Sequence, residues 1–348
     1  MGVGRRGSAN AAPDTGLPYQ YSPFRPIEIV EGFAVVERMY SDDPAGLSVG
    51  LANVRAEVPE IEANRDKIVR IAQIFKERGV NFAVFPEFSL SGYFWEDEPS
   101  CRSYMREAAI ENHTSWVERE LKPLLDDQFQ GIILNNLSNG PGDKFFNKTF
   151  ILAREFDYLD PRYAYDKVFL PGIEKTYTES GGDDRLVLTG ERGRFGFTTC
   201  YDCLFSELLR EYALVDRIDA IVEIASWRAA ATRDYPGLNV RTDHYYGDLW
   251  DTVLAAAAAV NQVWVIACNA VGRHGISGAL FWGGSGIWAP SGLCLVQGSH
   301  FNEELLVVHN LDIKGARKAE QDDFDYAIDF NEIYRPLEGS RAFTRRLD

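Results

Sequence analysis

At 348 residues, 45% hydrophobic and 25% charged, the chain is long enough to bury a substantial core in one large domain or two small ones. A formal net charge of -16 argues against a general binder of nucleic-acid phosphates, which relies on Lys and Arg, and no apolar run is long enough to cross a bilayer. Five cysteines (Cys101, Cys200, Cys203, Cys268, Cys294) are an odd and sparse set, and Met1 to Ser8 carries charge with no apolar stretch behind it, so a reduced cytoplasmic protein is expected.

Residues 1 to 45 read as an N-terminal extension, loop-like at first, with Phe33 to Glu37 able to add one strand. The regular architecture starts at Leu47-Ser-Val-Gly-Leu-Ala, a buried strand. Ile61, Ile68, Ile71, Ala72 and Phe75 recur at helical spacing, with Gly79 as the stop. Asn81-Phe-Ala-Val-Phe is a continuous apolar strand, and a helix is expected from Ser103 to Leu125. The middle is strand-rich, at Gly131-Ile-Ile-Leu-Asn, Thr149-Phe-Ile-Leu-Ala, Arg162 to Leu170 and Arg194 to Thr199. Leu204, Phe205, Leu208, Leu209 and Tyr212 then form a helical stripe. Strand Ala220 to Ile224, helix Tyr245 to Val260 and strand Val263 to Ala267 repeat the pattern, and short strands close it near Leu305 to His309. Strands alternating with helices imply α/β layers. Residues 313 to 348 lack clear periodicity and read as a C-terminal arm, expected at an oligomer interface.

Three reactive residues each close an apolar segment. Glu87 follows Phe85-Pro at a strand end, where burial would raise a carboxylate's pKa and suit it to accept and return a proton; a solvated loop glutamate is the plainer reading. Lys167 interrupts the run from Tyr165 to Leu170 and would balance a buried carboxylate and stabilise an oxyanion, or else face water from a strand edge. Cys200 ends a strand where a helix begins, so free amides and the helix dipole would favour a thiolate; a free cysteine is more commonly a small buried hydrophobe. Cys200-Tyr-Asp-Cys203 is also a Cys-x-x-Cys pair, but no second Cys or His pair completes a zinc site. Gly2-Val-Gly4-Arg-Arg-Gly7 matches a dinucleotide pattern without the strand it needs.

Phe85-Pro-Glu87, Tyr165-Asp-Lys167-Val-Phe-Leu170 and Gly196-Phe-Thr-Thr-Cys200-Tyr-Asp202 together resemble the motifs of the nitrilase superfamily, the carbon-nitrogen hydrolases. Asn64, Asn147, Ser226-Trp227 and Gly284 to Gly292 agree with its general pattern, and the likeness covers residues 46 to 312. It implies a four-layer α-β-β-α sandwich, a homodimer or larger homo-oligomer, and no cofactor or metal. It also gives Glu174 the place of a second glutamate that positions the lysine or substrate. Cys-Tyr-Asp is the amidase-like form, whereas true nitrilases tend to have Cys-Trp-Glu. Two departures stand out: Ser206 replaces a proline in the exit of the elbow, and Cys203 sits where some members that act on N-carbamoyl amino acids place arginine.

The expected activity is hydrolysis of a small linear amide or carbamoyl compound, with Glu87, Lys167, Cys200 and Glu174 as catalytic residues. Tyr201 is expected to give a backbone amide to the oxyanion, and Tyr93 and Trp227 to face substrate or to be core aromatics. The same thioester would serve a nitrilase or an acyl transferase, and a silent binding subunit is the alternative of another class. Neither nucleic acid nor membrane is expected as a partner.

Overall fold

Successive residues along the central strands enter different cores, which is the period-two signature of a sheet buried on both faces. In a computed structural model that describes residues 27–93, 99–333 and 341–346, strand Leu47–Asn53 sends Leu47, Val49 and Leu51 one way and Ala52 the other. Strand Glu304–Leu311 divides Leu306 and Val308 from Leu305 and Val307 in the same manner. Strand Trp264–Asn269 belongs to a second sheet and shares the middle core through Trp264, Ile266 and Cys268, while Val265 and Ala267 face outward.

Two sheets therefore pack face to face on Leu51, Val84, Ile151, Val222, Ile266 and Val308. The outer face of one is covered by helix Ile61–Glu77, whose Ile68, Ile71 and Phe75 lie on Ala52, Ile132 and Val307. The outer face of the other is covered by helix Tyr245–Asn261 and the helical segment from Ser206 to Val215, through Trp250, Leu254, Leu209 and Tyr212. The result is the expected α-β-β-α sandwich. Close approach needs small residues: a Cβ on Gly50 would lie 2.5 Å from the Phe75 ring, and one on Gly196 would lie 2.7 Å from the Tyr212 ring.

Both sheets are mixed. Strands Leu47–Asn53, Phe82–Val84 and Gly131–Asn139 run parallel in one, and Gly193–Thr199, Ala220–Ala225 and Trp264–Asn269 run parallel in the other. Cys268 ties the two together, its thiol directed at the carbonyls of Ala52 at 3.3 Å and Val84 at 3.2 Å. Glu87 and Cys200 both come just beyond the carboxyl ends of parallel strands, where open α/β sheets leave their ligand crevice.

Several elements differ from the sequence expectation. The strand anticipated over Arg162 to Leu170 is confined to Ala164–Asp166, and Lys167 follows it. The helix anticipated from Ser103 to Leu125 is split into Pro99–Ala108 and a second helical stretch of 3-10, α and π turns from Ile110 to Leu124. The first 26 residues of the expected extension lie outside the described residues, but strand Phe33–Met39 pairs in parallel with Glu304–Leu311 and so is part of the sheet. In the C-terminal arm, helix Ile313–Asp323 packs on this chain: Arg317 donates to Asp219 at 3.0 Å, and the Ile313 carbonyl accepts from Trp264 Nε1 at 3.0 Å. Strand Arg341–Arg346 pairs in parallel with Asp184–Gly190.

Candidate active site

Glu87 arrives from one sheet and is received by the other. Its backbone N–H donates to Ala225 O at 3.3 Å, its carbonyl accepts from Ser226 Oγ at 2.9 Å, and its Oε2 accepts from the Ser226 N–H at 2.8 Å. Phe88 follows with φ of 52°, a left-handed conformation unfavourable to a bulky residue, and its N–H is held at 2.9 Å by Asn135 Oδ1.

Lys167 points inward beside it. Its Nζ donates to Glu87 Oε1 at 2.8 Å and to Glu174 Oε1 at 2.6 Å, with all three side chains shielded from solvent. Asn147 closes the ring: Nδ2 donates to Glu87 Oε1 at 2.7 Å and to Glu174 Oε2 at 3.1 Å, and Oδ1 accepts from Asn135 at 2.9 Å. Tyr93 OH gives Glu174 Oε1 a further bond at 2.6 Å. Two carboxylates thus surround one ammonium. Burial opposes the lysine's charge, but Glu174 and Glu87 outweigh it and hold its pKa well above the ordinary value. Burial raises Glu174 in turn, with Lys167 opposing and Glu87 reinforcing that rise.

Cys200 stands at the sharp turn after strand Gly193–Thr199, with φ of 54°. A capping box fixes this turn, the Thr199 side chain accepting from the Asp202 backbone while Asp202 Oδ2 accepts from the Thr199 N–H at 3.0 Å. Asp202 also accepts from Tyr165 OH at 2.7 Å and from the Phe169 N–H at 2.7 Å, so one carboxyl fastens the cysteine turn to both flanks of Lys167. The segment after Cys200 is a short 3-10 turn rather than the expected α-helix, and the thiol is enclosed. Burial, then the charge of Glu87, push its pKa well above the ordinary value, with Lys167 opposing.

In front of the thiol lies a cavity of about 380 Å³. Cys200, Tyr93, Tyr201 and Trp227 all line it, together with Ser226, Ile173, Leu204, Arg228 and Tyr246. Trp227 is fixed by bonds from its N–H to Asn269 Oδ1 and from Nε1 to Tyr246 O, both 2.7 Å. All seven sequence-predicted site residues therefore belong to one region: Glu87, Lys167 and Glu174 in the buried ring, and Tyr93, Cys200, Tyr201 and Trp227 on the cavity wall. Tyr246 was not singled out, and Asp202 entered only as the end of the cysteine motif. A signal was present for Asn135 and Asn136, two amides that directly follow Ile132, Ile133 and Leu134 in strand Gly131–Asn139.

The carbon-nitrogen hydrolase family profile matches residues 48–321. A Staphylococcus lugdunensis protein described as the hydrolase in the agr operon is 26% identical over 251 residues, covering 71% of this chain and 94% of that protein. A probable nitrilase of Schizosaccharomyces pombe is 25% identical over 175 residues, 50% of this chain, and the match spans only 57% of that relative's length. Among solved structures, a carbon-nitrogen hydrolase from Helicobacter pylori G27 superposes with a TM-score of 0.66 at 18% identity, over 84% of this chain and 99% of that one. An amidase from Nesterenkonia sp. AN1, with the acetamide moiety of fluoroacetamide added at its active-site cysteine, gives 0.61 at 21% identity, over 81% and 98%. At these identities the structural likeness is one of fold.

Proposed function

This chain belongs to the carbon-nitrogen hydrolase family, and from that premise we propose that it is a thiol hydrolase cleaving the C–N bond of a small linear amide or N-carbamoyl compound through a thioester on Cys200. The observation that carries the reading is the ring of Glu87, Lys167 and Glu174, desolvated and placed behind the one thiol that lines the cavity.

In the first half-reaction Glu87 takes the Cys200 proton as Sγ bonds to the carbonyl carbon. The carbonyl electron pair moves onto oxygen, where Lys167 and the Tyr201 backbone N–H stabilise it. Collapse breaks the C–N bond, and the leaving nitrogen takes the proton from Glu87 and departs as ammonia or an amine. Water then attacks the thioester and gives its proton to Glu87; the second collapse releases the acid and returns the proton to sulfur. Glu174 and Asn147 hold Lys167 and Glu87 in place throughout. The wild type should release ammonia from members of a panel of amides, carbamoyl compounds and nitriles, and Cys200→Ala should release none. Release that persists in the variant would overturn the reading.

We also propose self-association, supported by Phe324, Tyr326 and Ile328, which expose apolar surface on the C-terminal segment. A monomer in sedimentation at micromolar concentration would oppose it. Five free cysteines support a reducing compartment.

A further inference from the structure

Polar groups of three residues on the cavity wall are already engaged inside the protein. Tyr93 OH is bound to Glu174, Trp227 Nε1 to the Tyr246 carbonyl, and both Ser226 donors to Glu87. What the cavity offers a ligand is chiefly aromatic and aliphatic surface, from Tyr201, Trp227, Tyr246, Ile173 and Leu204. The one charged lining residue among the described residues, Arg228, is solvent-exposed.

These walls are braced before any ligand arrives. Tyr201 sets its ring edge-on to Phe205, at 5.2 Å and 83°, and Phe205 stacks on Phe169, at 3.5 Å and 8°. Trp227 packs on Trp250 at 5.6 Å and on Tyr246 at 6.3 Å. Rings held in this way need little further ordering when a ligand is bound.

The free volume also lies on one side. Glu87, Lys167 and Glu174 are 2% exposed or less and none of them lines the cavity. The departing nitrogen has to receive its proton from Glu87, so the end of the substrate facing this ring is best served by an unsubstituted NH2. The open space of about 380 Å³ is then left to the acyl half.

We infer that the preferred substrate is a primary amide with a bulky apolar acyl group, best an aryl-alkyl one, held against Tyr201, Trp227 and Tyr246. This rests on the hydrolase reading and narrows it from small amides in general.

The test compares acetamide, butanamide, phenylpropanamide and succinamic acid as substrates of the wild type, and calorimetric binding of the same four to Cys200→Ala. One buried methylene in an apolar pocket discriminates by roughly tenfold or more, so kcat/KM should rise at least about 100-fold from acetamide to phenylpropanamide. Tyr246→Ala should cut that ratio by about tenfold. Equal rates for the four, or a preference for acetamide or succinamic acid, would overturn the inference while leaving the hydrolase reading intact. Should the wild type turn over none of the four yet release ammonia from carbamoyl compounds, the inference falls and the hydrolase reading stands; should it release none from either class, the hydrolase reading fails and binding decides: tighter binding of phenylpropanamide than of acetamide supports the aromatic pocket, and equal binding or none removes it.

Discussion

The Lys167 ammonium lies 2.6 Å from Glu174 Oε1, and neither side chain has any contact with solvent. Such a contact costs both groups their hydration, and it persists because each satisfies the other and Glu87, Asn147 and Tyr93 satisfy the remainder. With its pKa well above the ordinary range, Lys167 stays charged through any working pH. It can therefore serve as a fixed cation facing the oxyanion and not as a base.

Removing that cation should be felt in the fold as well as in turnover. Lys167→Ala leaves Glu87 and Glu174 facing each other in a dry interior, and breaking a buried pair by deleting one partner costs about 3–5 kcal/mol. Urea unfolding of the variant at neutral pH should show this loss. Glu174→Gln keeps the lysine paired with Glu87 and should cost less. Equal stability of Lys167→Ala and wild type would mean that the ring is not the buried ion cluster described above.

Cys200 alkylation offers a readout that does not need a substrate. Burial and the Glu87 charge hold the thiol well above its ordinary pKa, so iodoacetamide labelling at Cys200 should be slow at neutral pH and keep accelerating into the alkaline range. Glu87→Gln removes a negative neighbour, which makes the thiolate easier to form, so the labelling profile should move to lower pH. The same variant should lose turnover by about 10²–10⁴-fold, the usual contribution of a positioned base. Faster labelling with lower activity separates a proton acceptor from a residue that merely supports the fold.

Tyr93 lies on the boundary between the buried ring and the cavity. Tyr93→Phe keeps the wall but deletes the 2.6 Å bond to Glu174. Glu174 Oε1 keeps its bond from Lys167, so the cost is that of one hydrogen bond to a charged group, roughly 1.5–3 kcal/mol. The expected kinetic signature is a fall in kcat with little change in KM for the preferred amide. A rise in KM alone would place Tyr93 in substrate contact instead.

Much of this region was legible because each key residue breaks a local pattern. Glu87 ends an apolar strand, Lys167 sits within another apolar run, and Cys200 closes a third. Alternation along Leu47–Asn53 and Glu304–Leu311 likewise carried the layered fold. What stayed hidden depends on pairings between distant segments. Nothing near Asn135 in sequence announces that its amide supports the Phe88 turn on one side and Asn147 on the other, across 47 and 12 residues. The break after Ala108 was missed for a related reason: Trp116, Val117 and Leu121 keep a helical spacing and are buried, so the pattern runs on across it.

Asp202 links the cysteine turn to the lysine strand, and its titration gives a test of that link. Burial pushes its carboxyl from 3.8 up to about 6, opposed by Lys167 and by the donors from Phe169, Tyr165 and Thr199. The folded state then binds this proton more tightly than the unfolded chain does. Its stabilising contribution is complete below the unfolded value and is lost as pH rises through the folded value. The gap between 3.8 and about 6 corresponds to about 3 kcal/mol of stability lost across that interval. Asp202→Asn cannot titrate, so the difference in stability between wild type and variant should change by about that amount between pH ~4 and ~7, then level off. Asn also replaces one acceptor oxygen with an N–H2 donor that would face either the Phe169 N–H or the Tyr165 and Thr199 donors, so the turn should loosen and kcat should fall while KM holds. A wild-type and variant pair that run parallel across the interval would show that Asp202 is not the group titrating there.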